Sequence, residues 1–246
     1  MAYEHFYRFY DRLMDDVPYD TYLALLTKYL TPGSHLLDLG CGTGRVLVPL
    51  LQAGYVVEGL DQSETMLMMA RHRLVEAGLN TTLYLDDMRE IYRPNHYDGI
   101  YSLIDTINYL TCEEDVLKTF RGVYASLKPN GLFIFDVHNK DYIEQVFLDY
   151  SYHAEFEDFT YLWDTALDIA PKQTTIRHEL VFFVHLKDHL YQRLEEEHIQ
   201  VAFLPELYRS LLQAAGFAEI DIQSDFAHGI SPHATKYQFI CRKLDT

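Results

Sequence analysis

Apolar and polar positions follow two rhythms along this chain. Up to residue 137, short continuous apolar runs alternate with longer segments that read as helices; from about residue 150, apolar and polar residues alternate one by one. The first rhythm predicts helices over 3–16 and 19–30, parted by Asp15, Asp16 and Pro18, and a break at Thr31-Pro32-Gly33-Ser34. Strands are expected over 35–39, 55–60, 81–85, 98–103 and 132–137, with helices over 43–53, 63–77 and 113–127. Ser63 is a suitable N-cap with Glu64 in the first turn, Gly54 and Gly78 are helix stops, and Pro129-Asn130-Gly131 predicts a turn. Apolar strands alternating with helices mean a parallel sheet covered on both faces.

The second rhythm runs through TTIRHELVFFVHL (174–186) and HLYQRLEEEHIQVAF (189–203), with Lys187-Asp188 as the hairpin turn between them. It predicts an antiparallel insertion. A helix over 205–215 follows, opened by Pro205 and stopped by Gly216, and strands over 218–224 and 236–242 close the chain.

Composition narrows the function. With 246 residues and 48% hydrophobic content, the chain can bury a sizeable core. A formal net charge of −17 argues against general binding to nucleic acid or to an anionic membrane surface. The three cysteines, Cys41, Cys112 and Cys241, form no CxxC and no disulfide framework, which fits a reducing, cytoplasmic setting. The start MAYEHFYRFYDRLMDDVPYD lacks a basic segment followed by an apolar one, so no secretory leader is expected, and no apolar run is long enough to span a membrane.

The chemistry begins at LLDLGCGTG (36–44), where an expected strand runs into Gly40, Gly42 and Gly44. Such a turn lets a ligand approach the backbone at the edge of a parallel sheet. Two cofactor families use this layout. The dinucleotide fingerprint GxGxxG would need glycine where Arg45 stands. The sequence Asp38-Leu39-Gly40-Cys41-Gly42-Thr43-Gly44 instead resembles the first motif of class I S-adenosylmethionine-dependent methyltransferases, an acid followed by GxGxG. The order of later motifs agrees with that resemblance.

What the resemblance implies is specific. Gly40 and Gly42, with Cys41 and Gly44 in the same loop, would lie under the methionine part of S-adenosylmethionine, and Asp38 near its ammonium group. Asp61, in VVEGLDQSETML, would hold both ribose hydroxyls, since one carboxylate offers two acceptor oxygens to two vicinal donors. Gln62 and Met66 would follow toward the adenine edge, and Asp87-Met88 would clamp the adenine. The plain alternative for Asp87 is a strand-end acid capping the next turn. Leu103, Ile104 and Asp105 would lie beneath the transferable methyl, and Tyr10 or Tyr19 would reach the methionine end from the N-terminal helices. Tyr3, Phe6, Tyr7 and Tyr10 recur at near-helical spacing and serve equally as core packing.

Two segments form the expected acceptor edge. In YSLIDTINYL (101–110), Asn108 and Tyr109 would orient an amine or hydroxyl and Asp105 would take its proton or balance its charge. Otherwise Asn108 is a helix cap and Tyr109 is core. In FDVHN (135–139), His138 is a candidate base or an ordinary satisfied polar residue. Glu195-Glu196-Glu197 reads as a solvated edge, though inward carboxylates would favour a cationic substrate. His185 and His189 flank a turn, so no metal is expected. Neither a (D/N)PP(Y/F) motif nor a Pro-Cys pair occurs, which disfavours base methylation in DNA.

The reading is therefore an α/β Rossmann-like, seven-stranded class I methyltransferase fold, doubly wound and mostly parallel, with an antiparallel β insertion. The expected organisation is 1–145 for the N-terminal helices and cofactor-binding core, 146–203 for the insertion as substrate lid or dimer interface, and 204–246 for the last helix and two strands. The insertion resembles small bacterial methyltransferases, with glycine and amino-sugar N-methyltransferases as relatives. A small molecule methylated at N or O is the first expectation, by a monomer or homodimer. A protein acceptor, an NAD-dependent oxidoreductase and a non-catalytic cofactor-binding regulator stand as alternatives.

Overall fold

The apolar runs become strands. The computed structural model describes residues 7–188 and 190–245, and of Tyr7 and Arg8 the backbone alone. Tyr3, Phe6, the Tyr7 side chain and His189 lie outside the described residues. The parallel strands are β1 (His35–Leu39), β2 (Val56–Asp61), β3 (Leu83–Leu85), β4 (Tyr97–Ser102) and β5 (Leu127–His138). The helices before and between them are α1 (Tyr7–Leu13), α2 (Tyr19–Tyr29), α3 (Leu47–Gln52), α4 (Glu64–Glu76) and α5 (Glu113–Ser126). The Ser63 hydroxyl caps α4 by accepting the Met66 N–H.

Three boundaries depart from the sequence reading. The first helix after β1 starts at Leu47 rather than Thr43, because Gly42 and Gly44 hold left-handed φ values of 52° and 78° and keep the chain turning. The expected turn at 129–131 is absorbed into β5 as an irregularity, with Asn130 at φ 64° and a register shift against β4. A short helix, α6 (Lys140–Val146), follows β5 where none was expected; Asn139 caps it by accepting the Asp141 N–H.

After α6 come β6 (Ser151–Glu155), β7 (Phe159–Ala170), β8 (Gln173–His185) and β9 (Tyr191–Phe203), a separate antiparallel sheet in that order. The helix α7 (Pro205–Ala215) and strands β10 (Glu219–Ser224), β11 (Ala227–His228) and β12 (Lys236–Arg242) return to the main sheet. Its order is β3-β2-β1-β4-β5-β12-β10-β11, with β12 antiparallel to both neighbours. It has eight strands rather than seven; the extra one is the two-residue β11 at the edge.

Alternate side chains feed two cores. Leu36, Val57 and Ile134 share one with α2, α3 and α4, while Leu37, Phe133 and Phe135 share the other with α5 and α7. Phe135 stacks on Phe239 across the β5–β12 pair at 4.7 Å. Each such fully buried ring stabilises the fold by about 1.5–3 kcal/mol. The strand order reverses at β1, which has β2 on one side and β4 on the other. A crevice therefore opens at its carboxyl end, where the glycine loop lies.

Helix α1 joins the two sheets over this crevice. Phe9 packs between Phe159 and Phe182 of the insertion at 4.4 and 4.6 Å. Arg12 makes a double contact with Asp158 at 2.8 and 3.0 Å. On the other side, Asp11 accepts from Thr43 at 2.8 Å and pairs with Arg73, and Arg45 donates to the Asp11 carbonyl at 2.9 Å. Arg45, the residue at odds with the dinucleotide fingerprint, also covers the Tyr19 ring at 4.4 Å.

Candidate active site

The glycine loop is held against β2: the Gly40 and Cys41 N–H groups both donate to the Leu60 carbonyl, at 2.7 and 3.0 Å. Gly40 has φ +83°, and a Cβ there would stand 2.2 Å from Thr106 Cγ2. Gly42 differs. With φ +52°, its missing Cβ would meet nothing within 4 Å, and the residue lines a cleft of about 880 Å³. This bare stretch is the cradle for a closely apposed ligand. Gly44 faces Ala70 of α4 instead of the cleft. Cys41 is buried beneath the loop.

Asp61 faces the same cleft at the end of β2. One of its oxygens accepts the Gly42 N–H at 2.8 Å and the other the Ser63 N–H at 2.9 Å. Burial raises its pKa although the Ser63, Gly42 and Gln62 N–H groups draw it down. Its two oxygens are the acceptors that the two hydroxyls of a vicinal diol need. Gln62 and Met66 line the cleft beside it.

The far end of the cleft carries Asp87 and Met88. Asp87 caps a single 3-10 turn by accepting the Arg89 N–H at 2.9 Å, and its carboxylate also grips the Arg89 guanidinium. These hydrogen bonds hold its pKa below the usual carboxylate value. Arg89 reaches on to Asp115 at 2.9 Å. The Arg89–Asp115 contact joins this end to α5, and neither residue was singled out in the sequence.

The near end is lined by Asp38, Tyr19, Leu103 and Ile104, with Tyr10 above them. Asp38 is 4% exposed. Burial pushes its pKa up to about 8, against a smaller lowering by the Tyr101 hydroxyl. Between the unfolded value near 4 and the folded value near 8, the native chain holds a proton that the unfolded chain has released. Stability from this group is present at low pH and is lost as pH rises through that window. Asp38→Asn removes the effect, so the variant should gain on the wild type by about 1.4 kcal/mol per pH unit across the window. Denaturant unfolding at pH 5 and pH 7.5 checks this; an unchanged difference between the two proteins at both pH values would show that Asp38 is ionised in the native state.

A second chamber, of about 840 Å³, meets the cleft at Tyr10, Ile104 and Tyr109. The core supplies Asp105 and His138; the insertion supplies Tyr161, Trp163, His178, His198 and Gln200. The turn between them is strained. Ile104 and Asp105 both hold left-handed φ, 60° and 62°, which costs a non-glycine residue about 1–3 kcal/mol each. A buried network fixes it. Lys236 of β12 contacts Asp105 at 2.7 Å and Asp136 at 3.5 Å, and Tyr22 donates to Asp136 at 2.8 Å. Burial works against the Lys236 ammonium, but the two carboxylates outweigh it and raise its pKa.

His138 lies 3.3 Å from Asp105 through Nε2. Burial first, and then the Lys236 charge, push its pKa down to about 3, so the ring is neutral. Its Nδ1 is buried without a hydrogen-bond partner among the described residues. His178, held by Trp163 at 3.1 Å and by Gln200 at 3.2 Å, is also lowered by burial, to about 4.

Asn108 does not reach either cavity. It is wholly buried; its amide donates to the Val201 carbonyl at 2.8 Å and accepts the His138 N–H at 3.1 Å. The expectation that it orients the acceptor is thus corrected: it staples the insertion's last strand to β5. Tyr109 does line both cavities, and its hydroxyl meets His198 Nδ1 at 3.0 Å. Of the acidic run, Glu196 points inward beside His198, whereas Glu195 and Glu197 are exposed.

The cleft offers a ribose-shaped acceptor, a bare backbone and a buried acid, which together fit S-adenosylmethionine. Asp61 would hold its sugar, the Gly40–Gly42 loop its methionine chain, and Met88 would border its base. Similarity to known proteins agrees. Residues 36–131 match a family model described as a methyltransferase domain. A methyltransferase-family protein of Geobacillus sp. (strain WCH70) is 32% identical over 248 residues, spanning 99% of this chain and 100% of that protein. Among solved structures, an S-adenosylmethionine-dependent methyltransferase from Clostridium acetobutylicum ATCC 824 superposes with a TM-score of 0.83 at 23% identity, covering 99% of both chains. The sugar N-methyltransferase KedS8 from Streptoalloteichus sp ATCC 53650 superposes with a TM-score of 0.74 at 19% identity, covering 100% of this chain and 94% of that one. The chain belongs to the class I S-adenosylmethionine-dependent methyltransferases.

Proposed function

We propose that the protein transfers a methyl group to an amine nitrogen of a small molecule bound in the second chamber. The observation that carries this is the chemistry of two of the chamber's three histidines. His138 and His178 are pushed down to about 3 and 4, so neither stores a proton near neutral pH. An aliphatic hydroxyl needs a strong base before or during attack. A neutral amine arrives with its lone pair free. The chamber is walled by Phe147, Tyr161, Trp163 and the α1 residues Leu13 and Met14, an apolar and aromatic lining with a few polar groups that suits a small organic ligand.

Bound S-adenosylmethionine supplies an electrophilic methyl on a sulfonium that is also the leaving group. The chain's part is to position and to exclude water. Ile104 and Tyr109 lie at the opening between cleft and chamber, where acceptor and methyl would meet. His138 lines the chamber and would flank the acceptor amine as a neutral ring, adding no positive charge beside it. Asp105, whose Oδ1 is buried without a partner among the described residues, would balance the ammonium formed on transfer. The sugar N-methyltransferase described for KedS8 supports a nitrogen acceptor.

The test is a product assay by mass spectrometry with S-adenosylmethionine and panels of amines, alcohols, phenols and unfolded protein. Methylated amines are expected, and kcat/KM should rise with pH along the acceptor's own amine ionisation, with no limb from His138 or His178 near neutral pH. Methylation of hydroxyl compounds or protein alone would overturn the nitrogen reading.

A further inference from the structure

The amino ends of the strands, opposite the cofactor cleft, hold a second cluster of chemistry-bearing side chains. His35 opens β1, Glu58 lies on β2 and His96 stands just before β4. They stand side by side, since β1 pairs with both β2 and β4. We propose that His35, Glu58 and His96 form a binding site for one divalent transition-metal ion of the zinc class.

His35 Nε2 lies 3.7 Å from Glu58 Oε1, and His96 Nε2 lies 4.0 Å from Glu58 Oε2. Both are too long for a hydrogen bond. The three donor atoms nonetheless all lie within 4.8 Å of one another. Around a tetrahedral zinc with bonds of about 2.0–2.1 Å, donors stand about 3.3–3.4 Å apart. The cluster is thus slightly wider than a filled site, and the His96 side chain, 47% exposed, is the donor with room to shift inward. The side chains of His35 and Glu58 are only 24% and 15% exposed, so two of the three donors are already fixed.

The surroundings also suit a metal. Tyr97 donates to Glu58 Oε2 at 2.7 Å, the kind of hydrogen bond that orients a ligating carboxylate. The His35 and His96 rings touch edge to face at 4.6 Å, and both contact Tyr97, which limits their rotation. Two imidazoles and one carboxylate favour zinc, nickel or copper over magnesium or calcium, which prefer all-oxygen sets. With three protein ligands, water would complete the shell. The ion would clip β1, β2 and the approach to β4 together, and it would take no part in methyl transfer.

The full chain, free of any affinity tag and stripped with a chelator, is titrated with zinc chloride by calorimetry, with magnesium chloride as control. One zinc per chain is expected, with a dissociation constant below about 1 μM, and a thermal midpoint raised by a few degrees at saturation. His96→Ala should weaken binding by about 100-fold and Glu58→Gln by about 10-fold or more, each with S-adenosylmethionine affinity unchanged. That unchanged affinity reports an intact fold. Binding weaker than about 100 μM, or zinc affinity retained within about threefold in His96→Ala (as would follow from capture by the exposed Cys112), overturns the site.

Discussion

Asp61→Ala is expected to weaken S-adenosylmethionine binding by about 100- to 1,000-fold. The carboxylate is aimed before any ligand arrives, because Gly42 and Ser63 each donate a backbone N–H to one of its oxygens. Ordering costs for this group are therefore small when the ribose binds. Hydrogen bonds to a charged acceptor contribute about 1.5–3 kcal/mol each, and two of them at the lower figure amount to about 3 kcal/mol. The variant also leaves the Gly42 N–H unpaired beside the cradle, which loosens the loop itself. Asp61→Asn keeps one acceptor oxygen and should fall between wild type and alanine. Calorimetry with S-adenosylmethionine and with S-adenosylhomocysteine reads the effect on both compounds, whose sugars are the same. An alanine variant that binds either compound within about threefold of wild type would remove Asp61 from the ribose site.

The cofactor side was legible in the sequence because its signals are local. A strand ending in glycines and a strand ending in an acid each need only a few consecutive residues. Gly40, Gly42 and Asp61 accordingly share one cleft. The acceptor side was less legible, for two physical reasons. Asn108 sits in a polar segment, and nothing local reveals that a carbonyl of β9, Val201, consumes its amide. Lys236 lies in a strand that the pattern predicts correctly, yet its partners Asp105 and Asp136 are 131 and 100 residues away in sequence, and only the antiparallel entry of β12 beside β5 brings them together. One signal was present and unused. His178 is in phase with the buried Ile176, Leu180 and Phe182, and Glu196, His198 and Gln200 are in phase with the buried Leu194. Polar residues on the buried face of an alternating strand must find partners or face a cavity. Here they do both.

Lys236→Met is the variant with the largest expected effect on stability. The substitution keeps most of the side-chain volume and removes the charge shared by Asp105 and Asp136. Two carboxylates, with side chains 14% and 0% exposed, then face each other without a cation. Stripping one partner from a buried ionic network costs about 3–5 kcal/mol, a loss of roughly 10 °C in thermal midpoint for a chain of this size. The pH dependence separates this cause from simple misfit. Burial already raises the Asp136 pKa, and Lys236 is the largest influence drawing it back down. Without that charge the folded value climbs further above the unfolded value near 4. The native variant then takes up a proton as pH falls, and the penalty, full above the folded pKa, is relieved toward the unfolded one. The gap between wild type and Lys236→Met should thus narrow steadily from pH 8 to pH 5. A gap of constant size would mean that the lysine acts by packing alone. The strained Ile104–Asp105 turn would then owe its left-handed backbone to contacts other than this ion pair.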